Sequence, residues 1–316
     1  MTAPASPVPA APPVSSAMVA RLEPGQWRER EAAHEARAEA LTAAHRARAA
    51  RGEKHPVWDF LFTYYAYKPA VLRRWHPGAG IELAGAAGTP RAQWRWYRRG
   101  STPDAVVPDA AAFAAEKPQL AALIERILRS TAARPGRFGC FGLHEWAMVY
   151  RQRDHRHPQP LRLGQEGTDR VVETHDLRCT HVDAFRFFTP AAAPRNALTP
   201  TREAQPLLEQ PGCLHAGMDV YKWAVKLGPL VPGELLLDAF ELARDIRLLD
   251  MEAAPYDLRE WGVEPVRIET PEGKAEYVRR QRAFAERANA LRERIVRAWL
   301  GPDDARERQP AGSSTV

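Results

Sequence analysis

The chain has 316 residues, 45% apolar and 27% charged, which allows one substantial core and excludes a sequence too polar to fold. Its formal net charge of +6 is carried mostly by arginine; that suits a phosphate-bearing partner and equally suits an arginine-rich composition without one. Three cysteines cannot close a disulfide set, Met1 to Ala17 lack the basic start and apolar run of a secretory signal, and no stretch reaches ~18 apolar residues, so no membrane partner and a cytoplasmic location are expected.

Residues 1–18, rich in Pro, Ala and Ser, carry too little apolar bulk to offset ordering entropy and read as a disordered tail. A charged, solvated helix is expected within 19–54, where Ala, Glu and Arg dominate until Gly52 stops it. From His55 the chain changes character. The aromatic block Val57 to Tyr67 marks entry into a core, and 55–300 reads as one globular domain. Ile81–Gly85 and Ala92–Arg98 flank a Gly/Pro segment and suggest a small β-hairpin. Asp109 is placed to cap a helix running to about Thr131, with Phe113, Leu120, Ile124, Ile127 and Leu128 on one face. Residues 137–226 are irregular and rich in His, Arg, Asp and Trp; Gly233 to Leu249 reads as a strongly apolar helix. Thr270–Pro271 opens a last helix with a stripe at Tyr277, Phe284, Ala288, Leu291 and Ile295. Gly301–Pro302 ends it, and 301–316 forms a second disordered tail. The fold expected is mainly α (α+β), one large helical domain with a small hairpin.

Three segments in the middle third share a local pattern. Cys140 stands four residues before His144, Cys179 two before His181, and Cys213 two before His215. Thiolate and imidazole are natural ligands of zinc or iron, so the three segments suggest one metal site assembled from Cys and His. Against it, C-x-H turns its side chains to opposite faces of a strand and about 200° apart on a helix, and paired C-x₂-C spacing is absent. Buried Cys also serves as a small apolar residue.

Carboxylates accompany each histidine: Glu145 follows His144, Asp183 lies two after His181, and Asp219 lies four after His215. On a helix His215, Asp219 and Trp223 share a face, with Lys222 and Lys226 on a neighbouring stripe. Such groups serve acid–base chemistry or stabilise a developing cation, and equally form ordinary buried ion pairs. Trp94-Arg95-Trp96, Arg74-Trp75 and Phe185-Arg186-Phe187 set cations beside flat rings, a pattern that suits stacked bases and phosphates. The phosphate-binding G-x-x-x-x-G-K-[ST], G-x-G-x-x-G, H-E-x-x-H and G-x-S-x-G signatures are all absent.

The runs RFGCFGLHEWAMVYR (137–151), RCTHVDAFRFFTP (178–190), GCLHAGMDVYKWAVKLGPLVPGELLLDAFELARDIRLLDMEAAPYDL (212–258) and RIETPEGKAEY (267–277) resemble a bacterial group commonly labelled 3-methyladenine DNA glycosylase. The opening HPVWDFLFTYYAYKPAVLRRWHPG (55–78) fits as well, so the likeness covers roughly 55–295. Val231-Pro232-Gly233-Glu234 is only a fragment of the helix-hairpin-helix signature, with Asp245 or Asp250 as its downstream carboxylate. The resemblance implies DNA repair: hydrolysis of the N-glycosidic bond of an alkylated purine extruded from the duplex, with DNA as partner and no cofactor. The residues it would engage are Asp219, Asp183 and Glu145 as catalytic groups. His144, Trp146, Arg178, His181, Phe185, Arg186, His215, Tyr221, Lys222 and Trp223 would bind the base and its phosphates. Two alternatives stand beside it: a Zn- or Fe-dependent enzyme acting on a small molecule through the Cys/His segments, and a non-catalytic binding protein. Each rests on one spatial expectation, that His144, His181 and His215 line a common polar hollow.

Overall fold

The structure, a computed structural model, describes residues 20–153, 155 and 157–301. The tails expected at 1–18 and, past Gly301, at 302–316 lie outside the described residues.

In chain order a short strand β1 (Ala20–Leu22) leads into α1 (Pro24–Ala50), α2 (Phe60–Tyr64) and α3 (Pro69–Arg73). Strands β2 (Ile81–Leu83), β3 (Tyr97–Arg99) and β4 (Val106–Pro108) follow, then α4 (Ala110–Glu116) and α5 (Pro118–Ala133). The middle third supplies α6 (Leu143–Ala147), α7 (Gly164–Glu173), α8 (Val182–Phe185) and α9 (Gln205–Leu208). The long helices α10 (Leu214–Leu227), α11 (Gly233–Glu252) and α12 (Pro271–Leu300) complete the fold. It is mainly α with one small sheet, and among the described residues no helix is long and apolar enough to cross a membrane.

The sheet corrects the expected hairpin. Its order is β1-β2-β4-β3, with β1 parallel to β2 and β4 antiparallel to both its neighbours. The two segments proposed as partners are separated by the β-branched pair Val106-Val107, buried at the centre of the sheet, because Pro90 opens a 3₁₀ turn over Pro90–Gln93 instead of continuing a strand. A second correction concerns 109–131. Asp109 does cap, its carboxylate accepting the Ala112 N–H at 2.9 Å, but Pro118 divides the stretch into α4 and α5. The third is α1. Its Trp27, His34, Ala38 and Thr42 are buried, His34 Nε2 lies 2.7 Å from the Leu72 carbonyl, and the helix packs on α3 and α11 rather than standing in solvent.

Helices α10 and α11 are buried over most of their circumference, with α5 and α12 packed around them. The α12 stripe from Tyr277 through Ala288 and Ile295 to Trp299 faces this core, as its 3.6-residue period requires; Thr270 caps it by accepting the Gly273 N–H at 3.1 Å. Burial of this many aliphatic and aromatic side chains is the main stabilising term. It also fixes α10 against α11, which is what places the polar groups described next.

Candidate functional site

Helix α10 presents His215 and Asp219 one turn apart; His215 reaches toward Asp250 of α11, and Asp219 toward His181 and Tyr65. The two helices come close at Gly217: a Cβ there would stand 2.7 Å from Ile246 Cδ1, so only glycine lets the backbones approach without displacing that side chain. On α11 the polar groups facing back are Arg247 and Asp250, three residues apart in an otherwise apolar stripe. His144 arrives on α6, whose entry through Phe141 (φ 45°) and Gly142 (φ 71°) turns the chain inward; Glu145 comes with it. His181 arrives at the start of α8.

The three histidines do meet. The rings of His144 and His215 lie 4.5 Å apart, centre to centre and nearly perpendicular; those of His181 and His215 lie 5.2 Å apart. Around them the ionisable groups fall into two sets. In the first, one ligand atom from each of His144, His215 and Asp250 lies within 4.8 Å of the others. His144 Nε2 pairs with Asp250 Oδ1 at 2.9 Å, and neither atom has another partner among the described residues. The other carboxylate oxygen of Asp250 accepts from Arg247 Nη1 at 2.8 Å, and the same nitrogen donates to Glu145 at 3.0 Å.

Burial opposes every charge here, so the signs of the shifts identify the partners that win. Burial would raise the Asp250 carboxyl, but His144 and Arg247 hold it well below the usual range. Burial would lower His144, but Asp250 beside it raises it. At His215 burial, with His144 adding to it, outweighs the pull of Asp250 and holds the group well below its ordinary value, so its ring is neutral and a competent ligand.

The second set is His181, Glu209 and Asp219. His181 Nε2 lies between two carboxylate groups, 3.2 Å from Asp219 and 3.3 Å from Glu209. Asp219 also accepts from Tyr65 Oη at 2.8 Å and from the Lys222 ammonium. Lys222 stands 3.5 Å from Asp183, which is further engaged by Arg202. This set holds its own cation. Asp219 stays ionised despite burial because Lys222 and His181 favour its charge, whereas burial raises Glu209.

A narrow pocket with a free volume of about 20 Å³, room for a water or two, opens on the first set. His144, His215 and all three cysteines line it, with Arg178 at its mouth paired to Asp176 at 2.9 Å. No cysteine belongs to either ligand set, and the three are free thiols. Burial raises Cys140 and Cys213 and pushes Cys179 up to about 12, and since none of them joins either ligand set they stand as a wall of the pocket.

Of the residues assigned from sequence, His144, Glu145, His181, Asp183, His215, Asp219 and Lys222 are brought together, but the hollow expected to be lined by three histidines is lined by His144 and His215 alone, His181 being fully enclosed beside them. The aromatic ones are core, save Phe185, which is half-buried and packs against it. Trp146 is fully buried, its indole donating to the Ala253 carbonyl at 2.9 Å; Tyr221 packs edge-on to Tyr65, Tyr67 and Phe240; Trp223 is buried under Lys222. Phe185 packs on Phe188 at 5.1 Å, and Arg186 turns to the Phe187 ring and the Asp183 carbonyl. Missed were Arg247, Glu209 and Tyr65, and Asp250 had been weighed only as a hairpin-linked carboxylate. The signal for the pair on α11 was periodic: among the helix's many charged residues, Arg247 and Asp250 fall in line with the apolar positions Leu236, Phe240 and Ala243. No protein-family model matches the chain, and neither the curated proteins nor the solved structures contain a match to it.

Proposed function

We propose that the chain is a metal-dependent enzyme acting on a small molecule, with zinc or iron held by His144, His215 and Asp250. The observation that carries this reading is the buried approach of His144 Nε2 and Asp250 Oδ1 to 2.9 Å, neither atom having another partner among the described residues, with His215 completing a three-atom set. Two imidazoles and a carboxylate leave open positions on zinc or iron, the arrangement of catalytic rather than structural sites. When bound, such an ion supplies Lewis acidity and lowers the pKa of an attached water.

The protein's own groups divide the remaining tasks. Arg247 fixes the orientation of Asp250 by holding its second oxygen, and Glu145 holds Arg247. His181, held between Asp219 and Glu209, stands against His215 and is the imidazole nearest to it outside the ligand set, placed for general acid–base work. The thiol wall and the small pocket admit a molecule of a few atoms or the reacting end of a longer one.

A second reading, the alkylpurine DNA glycosylase implied by the resemblance, is favoured by the cation–ring pairs Arg74 over Trp94 (4.8 Å) and Arg95 over Trp96 (4.7 Å). In it Asp183, at the outer edge of the charged network, rather than the enclosed Asp219, supplies the negative charge.

Elemental analysis of protein purified without added metal tests the first reading. About one zinc or iron per chain is expected, reduced roughly tenfold or more in His144→Ala and in Asp250→Asn and retained in Cys179→Ser/Cys213→Ser. Wild-type protein that carries less than about a tenth of an equivalent and takes up no added zinc sinks it. Release of alkylated purine from duplex DNA by such metal-free protein would establish the second.

A further inference from the structure

We propose that the molecule acted on at the His144–His215 pocket is a small phosphate ester whose phosphate stays outside, held at the rim by Arg137, Lys274 and Arg282; this rests on reading that pocket as the reaction site. The pocket has room for a water or two only, so most of any substrate remains outside it, and what it meets there decides its class. Among the lining residues Arg178 is exposed, Cys140, Cys179 and Cys213 are half-buried and the rest are buried, so the opening lies at the arginine and the thiols.

The strip 137–141 carries Cys140 to that opening and lies between two neighbours. On one side Gln210, itself part of the pocket wall, accepts the Arg137 N–H through Oε1 at 2.8 Å. On the other runs α12, whose Gln281 Nε2 meets Cys140 Sγ at 3.1 Å. Arg282, the next residue, lies over the Phe138 ring at 4.3 Å, and Lys274, two turns earlier, over the Phe141 ring at 5.6 Å. Three cations thus border the strip, Arg137 and Arg282 exposed and Lys274 half-buried. Asp176 takes up Arg178, but none of these three side chains has an ion-pair or hydrogen-bond partner among the described residues. A ring stabilises a cation without offering it an oxygen acceptor, so the N–H groups stay free for an anion. A carboxylate brings a single charge; a phosphate monoester brings roughly −1.5 to −2 at neutral pH with several acceptor oxygens, and suits a cluster of cations better.

Isothermal titration calorimetry of the full chain with phenyl phosphate tests this. Saturable one-site binding is expected, weakened about tenfold or more in Arg137→Ala/Arg282→Ala, which removes two exposed side chains and leaves the core intact. Arg279→Ala/Arg287→Ala removes the same charge from arginines already paired to Glu276 and Asp245, and should leave the affinity within about twofold. Benzoate should bind about tenfold more weakly than phenyl phosphate. His144→Ala should keep the affinity, since the rim and not an ion holds the phosphate. Absence of saturable heat up to millimolar ligand, unchanged affinity in the first variant, or equal losses in both arginine variants would each overturn the proposal. Binding lost in His144→Ala but retained in Arg137→Ala/Arg282→Ala would put the phosphate on the metal, overturning the rim anchor while leaving the metal reading in force. Short duplex DNA that binds more tightly than phenyl phosphate and weakens in the same arginine variant would overturn the small-molecule class.

Discussion

Asp250 is fully enclosed and carries two unlike tasks, one oxygen facing His144 and the other holding Arg247. Asp250→Ala leaves the Arg247 charge out of water with Glu145 as its only carboxylate, and breaking a buried pair in this way costs roughly 3–5 kcal/mol. Urea unfolding reads this directly, and a loss under about 1 kcal/mol would mean that the ion pairs here are dispensable to the fold. A second carboxylate, remote from the site, offers a cleaner pH signature. Asp59 is pulled down to about 2 against its burial by hydrogen bonds from Arg48 and His45 and from the His55 backbone N–H. Its folded value lies below its unfolded one, so its stabilisation is full above pH ~4 and is lost as pH falls toward 2. That stabilisation is worth about 2 kcal/mol. Asp59→Asn should therefore be destabilised by about that amount at pH 7, the gap from wild type narrowing steadily between pH 4 and pH 2. A gap independent of pH would remove charge from the explanation.

Among the elements, the entry to α10 is the most constrained. A Cβ on Gly212 would stand 2.2 Å from the Arg137 carbonyl oxygen, a backbone atom with no rotamer to retreat into. Gln210 ties the same two segments, its Oε1 accepting from the Arg137 and Gly212 N–H groups at 2.8 Å each. Gly212→Ala must then separate the chain before α6 from the start of α10, the two elements that deliver His144 and His215. Overpacking of this kind costs roughly 1–3 kcal/mol, and the urea midpoint should fall accordingly, with metal content falling alongside. Wild-type stability in this variant would show that the loop accommodates a side chain. The element boundaries that were legible in the sequence are those set by local chemistry: Asp109 and Thr270 as caps, Pro271 at a first turn, Gly301 at an end. Those that were not depend on partners distant in sequence. Nothing within Ile81–Arg98 announces that Val106 and Val107 will take the place beside β2.

Across the whole molecule, the convergence of His144, His181 and His215 was readable because each sits in a segment dense in chemistry-bearing residues, and helical periodicity put Asp219 and Lys222 on adjoining faces of α10. What periodicity does not convey is burial. Trp146, Tyr221 and Trp223 look like stacking platforms in sequence and are core in space; Cys140, Cys179 and Cys213 look like ligands and line a wall. Conversely, Asp250 and Arg247 sit in a helix whose composition reads as core, yet they anchor the site. X-ray absorption at the K-edge of the bound metal, on protein carrying about one equivalent, tests the assignment of the centre most directly. Nitrogen and oxygen neighbours at ~2.0–2.2 Å, including two imidazole rings and no sulfur, are the expected result; sulfur at ~2.3 Å would contradict it and return the ion to the cysteines.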